Sequence, residues 1–107
     1  MGNGERALRL PASNYLEKTR NRIRKNCKVD PVTRCWIWQK SINNVGIPQM
    51  GFNGTVHSAL KVSILVFLQI NATGIHVGSR CDNPFCVNPQ HLYLGESLEF
   101  NLASYAW

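Results

Sequence analysis

Two cysteines and a histidine lie close together near the end of the chain, at a spacing that suits a metal ion. Four residues separate Cys81 from Cys86, and four more separate Cys86 from His91. The intervening segments, DNPF and VNPQ, each contain an Asn-Pro pair, which favours turns that bring the three side chains to one point. Thiolate and imidazole are ligands that zinc prefers. The spacing therefore predicts a zinc site between residues 81 and 91.

A tetrahedral zinc site needs a fourth ligand from elsewhere in the chain. Cys35, which precedes a tryptophan-rich segment, is the preferred candidate, and Cys27 is the alternative. A closed site of three cysteines and one histidine has no open position for water, so the metal would be structural and would supply on the order of 10 kcal/mol of folding free energy. The competing interpretation treats the cysteines as small buried hydrophobic residues and the histidine as a hydrogen-bonded surface residue.

Hydrophobic patterning and turn residues predict a small α+β domain around this site. CWIWQK predicts a strand with its two tryptophans on one side, in the core rather than stacked on bases. Asn53-Gly54 supplies the two positive-φ residues of a type I′ hairpin turn. The apolar segment 58–70 favours a buried helix that ends near Gly74. We expect a short strand within 75–81 and a final helix over 96–107.

Positive charge is concentrated in the first 40 residues, which hold ten Lys and Arg against three acidic residues, whereas the remainder holds two against three. A helix is predicted from about residue 14 to residue 26, begun by a capping box of Asn14 and Glu17. Its apolar stripe is narrow, and its basic side chains favour contact with phosphates, the alternative being a solvated basic face. These side chains are Lys18, Arg20, Arg22, Arg24 and Lys25.

The length and composition favour one small domain. A chain of 107 residues divides into a basic arm and helix over 1–30 and a zinc-bound domain over 31–107. It contains no apolar run of the roughly 18 residues that a membrane span needs, and no apolar segment near the N-terminus that predicts secretion. We therefore expect an intracellular protein, with no membrane partner, whose cysteines bind metal rather than form disulfides.

The residues from 34 to 101 resemble the HNH, or His-Me finger, endonucleases, whose fold is the ββα-metal unit. CWIW resembles the opening motif of the zinc-containing versions encoded by phages and mobile introns. NGTVHSALKVSILVF is similar to their hairpin and the helix that follows, and RCDNPFCVNPQHLYLG is similar to their zinc loop. The resemblance implies a zinc-stabilised ββα-metal domain with a β-hairpin and an N-terminal basic helix, and it implies structural zinc ligands at Cys35, Cys81, Cys86 and His91.

The same resemblance implies phosphodiester hydrolysis and assigns positions to its residues. The general-base histidine of the family corresponds to Ser79, whose hydroxyl cannot act as a base near neutral pH. The asparagine that holds a divalent ion on the scissile phosphate corresponds to Phe100, with Asn101 one residue further. We expect Asn101 to be the Mg²⁺ or Mn²⁺ ligand, with Glu99 as an alternative oxygen ligand.

A replacement for the missing base is not evident from the pattern. His57 corresponds to a supporting histidine of the family, and Ser58 takes the place of that histidine's arginine partner. His76 lies three residues before Ser79, so the alternation of a strand predicts that the two face opposite sides. Both histidines also have an ordinary structural interpretation. Arg80, beside the zinc loop, is a candidate for contact with a phosphate.

Two functions follow from these observations. The first is a metal-dependent DNA endonuclease that cuts or nicks, with weak activity. The alternative is a catalytically inactive, zinc-stabilised DNA-binding or regulatory protein, and a protein-interaction module or an RNA binder is a third possibility. The first two predict binding to double-stranded DNA, with a log-log salt slope of about −4 to −5 if the helix makes about five phosphate contacts. A homodimer could break both strands.

Overall fold

The structure is a computed structural model that describes residues 8–81 and 83–95. Two helices and six short strands form a small mixed α and β globule. In chain order they are α1 (Ser13–Lys25), β1 (Cys27–Val29), β2 (Trp36–Trp38), β3 (Gln49–Phe52), β4 (Thr55–Ser58), α2 (Ala59–Ser63), β5 (Val77–Ser79) and β6 (Leu92–Leu94). Helix α2 continues as a π-helical segment, Ile64–Leu68, and a 3-10 turn, Pro89–His91, precedes β6.

The six strands form three separate antiparallel pairs within the described residues: β1 with β2, β3 with β4, and β5 with β6. The pairing of Cys27 with Trp38 begins the first hairpin, whose strand β1 the sequence pattern did not indicate. The turn of this hairpin contains residues 31–33, and the Asp30 side chain accepts hydrogen bonds there from the N–H groups of Val32 and Thr33. The division placed between residues 30 and 31 falls within this hairpin.

Helix α1 begins one residue earlier than predicted, and the predicted capping box is wrong. The N-cap is Ala12, which makes no side-chain hydrogen bond, and its carbonyl accepts from the Leu16 N–H at 2.8 Å. Asn14 lies inside the first turn, where its side chain accepts from the Tyr15 N–H. Glu17 pairs with Arg20 at 3.1 Å rather than with the backbone. The chain enters the helix in an extended conformation at Ala12, which leaves Asn14 too late to cap it.

The apolar stripe of α1 packs into the core, with Leu16, Thr19 and Ile23 buried. Two of its arginines reach backbone carbonyls of other elements: Arg20 Nε donates to the Val66 oxygen at 2.6 Å, and Arg22 donates to the Gly51 oxygen. These bonds fix the helix against the π-helical segment and against β3.

The β3–β4 hairpin confirms the predicted turn. Asn53 and Gly54 both have positive φ, at 53° and 79°. The predicted buried helix also exists, although it ends at Gln69 rather than near Gly74. Gln69 adopts the left-handed conformation at φ 58°, and its N–H donates to the Leu65 carbonyl at 2.9 Å. A glutamine in this conformation gives no advance indication in a sequence, so the helix stop could not be predicted.

One hydrophobic core joins these elements. Both tryptophans of β2 contribute to it: Trp38 is buried, and the half-buried Trp36 packs edge-on against Phe67 at 5.3 Å between ring centroids. Cys27 packs against the same core. The largest fully buried side chains are Phe52, Ile23, Ile64, Leu65 and Leu92.

Some predictions fall on residues that the structure does not describe. The final helix over 96–107, including Asn101, Glu99 and Phe100, lies outside the described residues. Within the described residues, no helix is both long enough and apolar enough to cross a membrane.

Candidate metal centre and adjacent cavity

Four side chains converge as the sequence predicts. The ligand atoms of Cys35, Cys81, Cys86 and His91 all lie within 4.8 Å of one another, so the cluster could hold a zinc ion. The alternative fourth ligand, Cys27, is not part of this cluster. It lies in β1, half-buried against the hydrophobic core.

The distances within the cluster are close to those of a tetrahedral metal site. The Nδ1 atom of His91 lies 3.7 Å from the Cys35 sulfur, 3.0 Å from the Cys81 sulfur and 3.6 Å from the Cys86 sulfur. The sulfurs of Cys35 and Cys81 are 3.0 Å apart. Tetrahedral Zn–S bonds of about 2.3 Å place sulfurs about 3.8 Å apart. An ion at the centre therefore requires that the closest ligands separate by less than about 1 Å.

Strand β2 positions two of the ligands. The strand follows Cys35 directly, and on the edge that does not pair with β1 it bonds to the zinc-loop segment 85–87. The Trp38 N–H donates to the Phe85 carbonyl at 2.9 Å, and the Val87 N–H donates to the Trp36 carbonyl at 2.8 Å. Ile37 and Cys86 form an antiparallel bridge between these bonds. Cys35 and Cys86 are thus held next to each other by backbone pairing.

The two Asn-Pro pairs form the predicted turns. The side chain of Asn83 accepts from the Phe85 N–H at 2.9 Å, and the side chain of Asn88 accepts from the Gln90 N–H at 2.9 Å. Asn88 also donates to the Arg34 carbonyl, which fastens the loop beside Cys35. The Asn88 carbonyl accepts from the His91 N–H, so this turn presents the imidazole to the three sulfurs.

The protonation of the ligands depends on burial and on their mutual contacts. Burial raises the pKa of Cys86 to about 12 and also raises the pKa of Cys81. At Cys35, burial opposes hydrogen bonds from Cys81 and Thr33, and the bonds prevail, so the pKa is lowered. Burial, with a contribution from the charge of Arg80, lowers the pKa of His91 and keeps its imidazole in the neutral, ligating form. A metal must therefore displace thiol protons, and its binding weakens as the pH falls.

An open cavity of about 570 Å³ lies beside this cluster, on the β5–β6 hairpin. Cys81 is one of its lining residues, and Ser79 and His76 both line it. Val77 and Gly78 line it too, so the shared lining does not give the directions of the His76 and Ser79 side chains, and that they face opposite sides stays a prediction. His76 precedes β5, which begins at Val77, so the alternation of a strand does not extend to it. Its exposed ring lies edge-on to Tyr93, at 6.1 Å between centroids.

Lys61 is a cavity residue that the sequence interpretation missed. It lies in α2, three residues after the N-cap Ser58, and its N–H donates a hydrogen bond to the Ser58 side chain. Its indication in the sequence is that it is the one charged residue in the apolar segment 58–70. No Asp or Glu is found among the described residues that line the cavity.

The other predicted site residues lie elsewhere. His57 is buried in β4 and packs edge-on against Phe52, on the core side of the strand. Ser58, which follows it, faces the cavity. Arg80 is exposed, and its backbone N–H donates to the carbonyl of the candidate ligand His91 at 2.8 Å.

The basic residues of α1 divide into two groups. Arg20 and Arg22 bond to carbonyls, and the Arg24 guanidinium lies 5.0 Å from the centre of the Phe67 ring and donates to Asn21. Lys18 and Lys25 are exposed, and no ion pair or hydrogen bond joins them to the part of the chain that the structure describes.

Comparison with known proteins gives one relative of interest. The chain is 34% identical over 65 residues to Protein 2.8 of Escherichia phage T7, an alignment that covers 61% of this chain and 45% of that protein. The chain thus spans less than half the length of this relative. No protein-family profile matches the chain, and no solved structure matches it.

Proposed function

We propose that this chain is a zinc-stabilised DNA-binding protein of the ββα-metal type that hydrolyses phosphodiester bonds in DNA with weak, HNH-like activity. The observation that carries the proposal is the cavity beside the metal cluster, lined by His76, Ser79 and Lys61. Three further features support it. The β5–β6 hairpin encloses the Cys-His loop, residues 96–107 are predicted to form a helix directly after β6, and the chain is similar to a phage protein. This similarity also supports the cytoplasm of a host cell as its place of action.

The lining residues provide groups for two of the tasks that hydrolysis requires. We assign to His76 the role of accepting the proton of a water molecule as the water oxygen bonds to phosphorus and the bond from phosphorus to one sugar oxygen breaks. Lys61 offers a positive charge for the phosphate. A divalent ion, which would stabilise the charge on the leaving oxygen, needs oxygen ligands, and we assign Asn101, or Glu99, to this role.

Exposed cations would bind the DNA backbone. They are Lys18 and Lys25 of α1, and Arg80, which lies between the cavity residues Ser79 and Cys81 in the chain. The arginines of α1 are held by internal contacts, so phosphate binding by α1 would rely on its two lysines more than on its arginines. Because each phosphate contact releases counterions, the affinity should fall as salt is added.

One observation favours the alternative, a DNA-binding protein without catalytic activity. The Ser79 hydroxyl accepts a hydrogen bond from the Cys81 N–H at 3.1 Å and so helps to hold the loop that carries the candidate zinc ligands. The residue at the expected base position thus has a structural contact, and its hydroxyl cannot take a proton from water near neutral pH.

Nicking of supercoiled plasmid tests the proposal. We expect zinc-loaded protein with Mg²⁺ or Mn²⁺ to produce nicked circles, and we expect His76→Ala to lower the rate by about 100-fold or more, the usual contribution of a general base. Lys28→Gln is the control, because this exposed residue of β1 does not line the cavity and should leave the rate unchanged.

Three other results would separate the candidates. A wild-type protein that binds DNA without nicking, together with nicking by Ser79→His, would support the inactive alternative. Nicking that His76→Ala leaves intact would contradict the assignment of the base. Absence of salt-dependent DNA binding would remove both candidates and favour a protein-interaction module.

A further inference from the structure

The segment 41–48, which we term the apolar loop, exposes large hydrophobic side chains next to the cavity. Val45 is 72% exposed, and Ile42 and Ile47 are about 40% exposed. Residues of this type gain free energy when they leave water. The loop lies between β2 and β3. Pro48 at its end is buried, but Ile42, Val45 and Ile47 are not part of the hydrophobic core.

The apolar loop is rigidly built, which distinguishes it from an ordinary surface turn. Ile42 and Pro48 form an antiparallel bridge at its base. The Asn43 side chain accepts hydrogen bonds from the N–H groups of Val45 and Ile47 at 3.0 and 2.9 Å, and the Asn43 N–H donates to the Ile47 carbonyl. Gly46 takes the positive φ of 88° that the tip requires. A partner that binds Val45 therefore does not need to order the loop first.

The position of the apolar loop indicates a polyanionic partner. Gly46, Ile47 and Pro48 line the same cavity as Lys61 and His76. The described lining residues include Lys61 and no carboxylate, so the charge at the cavity suits a phosphate. A ligand that fills the cavity with a phosphate would thus bring its neighbouring groups against the apolar loop.

We propose that the apolar loop contacts the sugars and bases of duplex DNA beside the phosphate that occupies the cavity, with Val45 as its leading side chain. Apolar side chains that meet bases in this way partly unstack them and add affinity that does not depend on charge. The inference rests on the proposed function, because it requires that DNA binds at the cavity. It does not require that the protein cleaves DNA.

Fluorescence anisotropy with a short labelled DNA duplex tests this contact. We expect Val45→Ser to weaken the affinity about fivefold to tenfold, the effect of losing most of a buried valine contact, and to leave the log-log salt slope unchanged. Val32→Ser is the matched control. Val32 is 87% exposed in the β1–β2 turn and does not line the cavity, so its substitution should change the affinity less than twofold.

The outcomes separate the inference from the proposed function. If the wild-type protein binds DNA and Val45→Ser binds equally well, the inference is wrong while the proposed function stands. If the wild-type protein does not bind DNA, both fail. A reduced salt slope for Val45→Ser would also overturn the inference. So would a Val45→Ser protein that binds DNA normally but no longer binds vesicles of phosphatidylcholine and phosphatidylglycerol. Equal midpoints of thermal unfolding for the two serine variants show that both remain folded.

Discussion

Ser79 stands at the position where the resemblance to HNH endonucleases places a histidine, and its contact explains what the serine does there. Its hydroxyl accepts from the Cys81 N–H, and the same side chain borders the cavity. A histidine at this position would bring an imidazole to the cavity. It would also remove the hydrogen bond from the Cys81 N–H to the Ser79 hydroxyl at the start of the Cys-His loop. Stabilisation of the loop and proton transfer therefore compete for one residue.

Cys27 gives the fold a pH dependence that is separate from the metal cluster. Burial raises its pKa from 9.0 to about 12. The unfolded chain loses this proton first, so the contribution of Cys27 to stability is present below about pH 9 and is lost as the pH rises towards 12. We expect the free energy of unfolding in urea to fall more steeply between pH 8 and pH 11 for the wild type than for Cys27→Ala.

Both proteins contain the same metal cluster, so its titration cancels in the difference between them. A difference in unfolding free energy that stays constant over this pH range would contradict the buried, protonated state of the Cys27 thiol.

The β5–β6 hairpin requires a residue without a side chain at Gly78. Gly78 pairs with Tyr93, and a Cβ atom added there would lie 2.6 Å from the tyrosine oxygen and 2.7 Å from Cζ. We expect Gly78→Ala to lower the free energy of unfolding by about 1–3 kcal/mol, because the ring must move away from its place over the strand. Urea denaturation measures this change.

A double-mutant cycle identifies the cause. In a Tyr93→Ala background, Gly78→Ala should cost less than about 0.5 kcal/mol, since the clashing ring is gone. Gly51→Ala is the control: a Cβ at this exposed β3 position meets only the Arg22 side chain, at 3.9 Å. An equal cost for Gly78→Ala in both backgrounds would show that the contact with Tyr93 is not the reason.

The elements that could be predicted from the sequence are those set by local chemistry. Asn53-Gly54 predicts its hairpin because few other residue pairs accept two positive φ angles, and the periodic apolar stripe locates α1 to within one residue at each end. Strand β1 could not be predicted, since its three residues show no alternation and form a strand only because β2 lies beside them. The end of the helix at Gln69 likewise could not be predicted from the residues around it.

The candidate site divides in the same way. The Cys-His cluster follows from residue type and spacing, together with turns that Asn83 and Asn88 form locally. The cavity does not follow from spacing, because it requires α2 to pack against β5 and so bring Lys61 towards His76. Contacts between distant segments decide which charged residues meet, and no local pattern records them.

At the scale of the whole molecule, the described residues contain three two-stranded hairpins and no larger sheet. An isolated hairpin of this kind is at best marginally stable in water. The Cys-His cluster connects the residue before β2 with the loop between β5 and β6, and thus fastens two of the three hairpins together. We therefore expect the metal to supply a large part of the folding free energy.

Metal content combined with thermal unfolding tests this central claim most directly. We expect one zinc per chain in the wild type and in Cys27→Ala, and a thermal midpoint that falls steeply when a strong chelator removes the zinc. Cys86→Ala should lose the metal and the cooperative transition, because it removes a ligand that is fully buried beside β2. A wild-type protein that is free of metal and still unfolds cooperatively at the same temperature, with or without chelator, would contradict the account.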